Sequence, residues 1–64
     1  MYEQIVKHYR KAQNIRRGLV AFDYAEYEIH IKCTYSYIVY YRLLDSNEQM
    51  IKNALRLYKE LKAL

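Results

Sequence analysis

Residues 23–44 read DYAEYEIHIKCTYSYIVYYRLL, and the fold turns on whether this stretch is a strand or a helix. From Tyr27 to Tyr37 the chain alternates. Tyr27, Ile29, Ile31, Cys33, Tyr35 and Tyr37 are large or apolar, while Glu28, His30, Lys32, Thr34 and Ser36 are polar. Such alternation, rich in Tyr, Ile and Thr, is a strand signal. Wound as a helix, the same residues sort differently. Tyr27, Ile31, Ile38 and Tyr41 form one stripe, and Ile29, Cys33, Tyr40 and Leu44 form another, roughly opposite. Glu26 and His30 lie on one polar edge, and Glu28, Lys32 and Arg42 on the other. That pattern implies a helix with neighbours on both sides.

Two features favour the helix. A strand of this length needs a mate, and the only candidate, Leu19–Phe22, is short and joined by Asp23-Tyr24-Ala25-Glu26, a poor hairpin turn. As a helix start the same residues work well. Asp23 is a good N-cap, Glu26 completes a capping box, and Phe22 with Tyr27 makes a hydrophobic staple. Glu28 then precedes Lys32 by four, the favourable order for a helix pair.

The flanks are read from the same rules. Tyr2, Ile5, Tyr9 and Ala12 recur at helical spacing with Val6 beside them, giving a helix over 2–17. Glu3 stands four before Lys7; Arg16 and Arg17 suit the helix C-terminus, and Gly18 suits the residue just past it. At the other end Met50, Ala54, Leu57, Leu61 and Leu64 step by 4-3-4-3, flanked by Ile51, Leu55 and Tyr58. Ser46 with Gln49, or Asp45 with Glu48, offers a capping box, and Glu48 is placed to pair with Lys52. The expected fold is therefore all-α, a small antiparallel bundle of three helices over 2–17, 24–44 and 47–64, as one domain over 1–64. The middle helix is the longest, about 30 Å at 1.5 Å per residue. The alternative is an α+β fold with 27–37 as a strand.

Composition bounds the function. A chain of 64 residues buries only about 60% of its unfolded surface, so it is marginal alone. An apolar fraction of 53% suits a folded core, and a single cysteine excludes an internal disulfide. One glycine and no proline leave few turns, hence a few long elements. Met1 is followed at once by a charged, periodic segment, and no run approaches the ~18 apolar residues of a membrane span, so a cytoplasmic location is expected. The net charge of +4 is concentrated near the ends. It permits acidic partners without requiring them.

No constellation points to catalysis, and no cofactor is implied. His30 lies three before Cys33 and four after Glu26, but a structural zinc site wants four ligands, and the chain adds only His8. Cys33 as a nucleophile lacks a cleft and an oxyanion-forming turn. Lys7, Arg10, Lys11, Arg16 and Arg17, with Tyr9 for stacking, could meet phosphates. They equally describe a solvated helix face, as do Lys52, Arg56 and Lys59. A helix-turn-helix is disfavoured, because Asp45-Ser46-Asn47-Glu48 would put an acidic N-terminus against DNA.

Six of the nine tyrosines fall between Tyr24 and Tyr41. Tyr27, Tyr40 and Tyr58 lie on packing stripes and are expected in the core. Tyr35, Tyr37 and Tyr41, with Tyr24, are the surplus, and surplus rings mark a contact surface. In size and composition the chain resembles the stand-alone regulators and inhibitors that phages and mobile elements encode. The resemblance implies a non-catalytic regulator that covers a surface of a larger protein, such as nucleic-acid-handling machinery. Two other readings stand beside it. One is a basic nucleic-acid-binding protein. The other is a structural homo-oligomer, a homodimer in the simplest case, joined along Met50, Leu57, Leu61 and Leu64.

Overall fold

The computed structural model describes residues 2–45 and 47–63. Three helices follow in chain order: α1 (Tyr2–Arg16), α2 (Tyr24–Leu43) and α3 (Glu48–Lys62). They form an antiparallel all-α bundle of 37 × 17 × 15 Å, with no strand among the described residues. The 27–37 alternation is thus helical. No sheet partner is on offer, and a helix satisfies its own backbone.

The boundaries follow from local chemistry. Gly18, at φ 75°, ends α1; its N–H donates to the Ile15 carbonyl and that of Leu19 to Asn14. This pair of bonds is a Schellman cap, which needs the left-handed conformation glycine adopts freely. Asp23 starts α2, its carboxylate accepting from the N–H groups of Ala25 and Glu26. The rest of that expected box does not close. Glu26 reaches toward His30 Nε2 instead, at 3.7 Å, and Phe22 is 62% exposed rather than stapled onto Tyr27. The cap of α3 is Asn47, which accepts from Gln49 and Met50. Asp45, one of the two expected caps, sits in the turn at φ 56°, and Ser46 lies outside the described residues. The Glu48–Lys52 pair forms at 3.6 Å.

The core has two apolar clusters. Ile5, Ile38, Tyr41, Ile51 and Ala54 make one; Ala12, Ile15, Tyr27 and Leu61 make the other. Between them runs a polar waist. His8 falls between Ile5 and Ala12 on α1, and His30 and Thr34 fall between Tyr27 and Ile38 on α2. Antiparallel packing brings these levels together: His8 Nδ1 and His30 Nδ1 are 2.9 Å apart. Thr34, fully buried, donates its hydroxyl hydrogen to the His30 carbonyl at 2.8 Å.

This waist corrects the expected wheel. The buried face of α2 is Tyr27, His30, Thr34, Ile38 and Tyr41, so His30 belongs to the interior and not to a polar edge. Both neighbours, α1 and α3, pack on that same side, and of the second stripe Ile29, Tyr40 and Leu44 are all more than half exposed. Tyr40, expected in the core, is 54% exposed; Tyr41, expected outside, is 4% exposed. The physical reason is that a buried polar group is tolerated once hydrogen-bonded. His30 and Thr34 meet that condition, which rotates α2 relative to a purely apolar assignment.

Candidate functional site

The helices do not close equally. Along its length α2 packs most closely on α1, and a groove of about 790 Å³ opens between α2 and α3. Helical spacing builds one wall, since Tyr24, Tyr27, Glu28, Ile31, Lys32 and Tyr35 share one side of α2. Tyr58, Leu61 and Lys62 of α3 form the other. The floor is fixed. Tyr27 is buried and donates its hydroxyl hydrogen to the Leu61 carbonyl at 2.7 Å, tying α2 to the C-terminal turn of α3. Burial raises the Tyr27 pKa above 10.0, with Arg16 opposing, so its hydroxyl stays a donor at neutral pH.

The rim is aromatic and charged. Tyr24 is 64% and Tyr35 50% exposed. The Tyr35 ring leans on Tyr58, centroids 5.3 Å apart, and the Lys62 ammonium sits 5.7 Å from the Tyr58 centroid. Lys32 and Lys62 against Glu28 leave the rim net positive. Such a groove can take apolar side chains against rings and meet carboxylates at its edge.

The sequence-derived residues divide. Tyr24 and Tyr35 are at this groove. Tyr37 is half-buried, stacked between His8 and Tyr41 at 5.9 and 6.3 Å, and Tyr41 is in the core. Burial raises the Tyr41 pKa. Both rings were expected as surplus; Tyr37 is taken up between α1 and α2, and Tyr41 by the core cluster where all three helices meet. Of the stripe on α3, Leu61 is fully buried within the chain, Met50 and Leu57 are half-buried, and Leu64 lies outside the described residues. Of the described three, only Leu61 is given to the chain's own core, which α3 otherwise fills with Ile51 and Ala54. Tyr58 and Lys62 were missed as a pair with Tyr35, because the contact joins residues distant in sequence; Tyr35, Tyr58 and Lys62 carry no motif that announces it.

The basic residues separate as well. Lys7, Arg10 and Lys11 are exposed on one side of α1, and Arg17, just past its end, is exposed beside Arg16 and Glu60. Arg16, about two and a half turns beyond Lys7, faces the other way and donates to the Glu60 carbonyl at 2.8 Å. Tyr9, considered for base stacking, is packed on the core and donates to the Glu60 carboxylate while accepting from Gln13. The Glu60 bond, then burial, raises its pKa. No group of three metal-ligating side chains gathers among the described residues. Cys33 is half-buried. At the waist, burial lowers the His8 pKa below 6.5, helped by the nearby charges of His30, Lys11 and Lys7. No helix is long and apolar enough to cross a membrane among the described residues. No protein-family model, no curated protein and no solved structure matches the chain.

Proposed function

We propose that this chain is a non-catalytic protein-binding module that takes a segment of a larger protein into the α2–α3 groove. The observation that carries the reading is the groove itself, with Tyr24 and Tyr35 half or more exposed beside Tyr58 over an apolar floor. Rings held in this way offer area at low entropic cost, and they are the residues on which protein contacts concentrate. The segment it suits presents apolar side chains to the rings and carboxylates to Lys32 and Lys62. A regulator or inhibitor of this kind acts by occupying a surface its target needs.

The test is affinity capture from the source cell, followed by titration of the purified partner against Tyr24→Ala and Tyr35→Ala. Both side chains are exposed, so the fold survives their loss. Each variant should weaken binding about tenfold or more, with only a modest loss on adding salt, from the Lys32 and Lys62 contacts. Direct nucleic-acid binding through Lys7, Arg10, Lys11 and Arg17 gives the opposite signature. Affinity would then fall steeply with salt and ignore both tyrosines, and that result would refute the groove reading.

A further inference from the structure

The outward face of α2 carries a pattern that the core does not explain and that the groove touches only at Lys32 and Ser36. Ala25, Ile29, Lys32, Ser36, Val39 and Leu43 step by 4-3-4-3-4. This is the spacing of a helix–helix seam. All six are exposed, Ile29 at 56% and Leu43 at 80%, on the side of α2 opposite its buried face, with Lys32 and Ser36 at the edge of the groove. We propose that a second copy of this chain covers this face, the two α2 helices running antiparallel about a two-fold axis at the level of Thr34.

The sequence of the face is self-complementary in that register. Ala25 meets Leu43 of the second copy, small against large. Ile29 meets Val39, and Lys32 meets Ser36. A slip of one heptad either way sets the Lys32 ammonium against Leu43 or Ile29, which costs desolvation without a partner. A lone lysine in a seam fixes register in this manner. Parallel pairing sets Lys32 against Lys32, like charge on like.

The charges at the edge agree. Glu28 and Arg42 flank the seam on one side, and among the described residues neither makes an ion pair within its own chain. Antiparallel pairing brings each Glu28 beside Arg42 of the other copy, so the contact occurs twice by symmetry. At the ends, the exposed Phe22 of one copy comes beside the exposed Leu43 and Leu44 of the other. A stable dimer covers about 800 Å² per partner, roughly a sixth of this chain's 4659 Å². The whole outer face of a long helix supplies area of that order. The seam shares Glu28, Lys32 and Ser36 with the groove, but Ala25, Ile29, Val39 and Leu43 lie outside it, so substitutions at Ile29 and Leu43 test this inference apart from the proposed function.

Sedimentation of the purified full chain over a wide concentration range tests it. The chain should dimerise, and Leu43→Glu and Ile29→Glu should each weaken the dimer about a hundredfold, since each change occurs twice in the interface. Both positions are exposed, and circular dichroism should show unchanged helix. Glu28→Arg and Arg42→Glu should each weaken it roughly tenfold, while an equimolar mixture of the two variants restores a heterodimer. Cys33, on the other edge near the two-fold, should be linked to its copy by a short bismaleimide. A chain that stays monomeric at every concentration, or a dimer indifferent to Leu43→Glu and to the charge exchange, overturns the proposal.

Discussion

Tyr40 and Tyr41 are neighbours in sequence and opposites in the structure, and replacing each by alanine measures how α2 is rotated. Tyr41 is 4% exposed, packed among Ile5, Ile38, Ile51 and Ala54 and stacked on Tyr37. Truncating a buried ring of this kind costs about 3–5 kcal/mol. A domain of this length holds roughly 3–10 kcal/mol in total, so Tyr41→Ala should remove about a third of the stability or more, and at the lower end unfold the chain at room temperature. Tyr40 is 54% exposed, and its main identified contact is edge-on to Tyr41 at 5.5 Å. That geometry is worth about 0.5–1.5 kcal/mol, a fall in Tm of no more than about 10 °C. Tyr41→Phe keeps the ring and should retain most of the stability. Thermal and urea unfolding followed by circular dichroism compare the three. If Tyr40→Ala proves as damaging as Tyr41→Ala, or Tyr41→Ala unfolds like the parent, α2 is turned the other way and the assignment of its faces is wrong.

Three further outcomes follow from single contacts. Tyr27→Phe removes the hydrogen bond to the Leu61 carbonyl and should cost about 1 kcal/mol, read as a lower urea midpoint with an unchanged slope. Asp23→Ala removes the cap that accepts from Ala25 and Glu26; about 1 kcal/mol should be lost, with faster hydrogen exchange in the first turn of α2. The His8 pKa is lowered in the folded chain from 6.5, so the unfolded chain takes up this proton first. Its stability contribution is complete above that value and is lost as pH falls, until the folded pKa is passed. His8→Gln should flatten that slope, which unfolding curves across the range will show.

The three helices, their order and their limits to within a residue or two are written in the sequence. Caps and periods are local: Asp23, Gly18 and the spacing of Ile5 and Ala12 act within a turn or two of themselves. The exposure of Tyr24 and Tyr35 was legible too, because six rings between Tyr24 and Tyr41 are too many for so small a core. The rotation of α2 was not legible. Its tyrosines and aliphatic residues surround the helix, so its period points to no single face. The partner elements made the choice: His8 on α1 receives His30, and Leu61 on α3 receives Tyr27. Those contacts join residues more than twenty positions apart, and their geometry exists only once the helices have packed. The sequence by itself determined what the elements are. Tertiary structure alone decided which side of the middle helix is core, which side lines the groove, and which is left facing water.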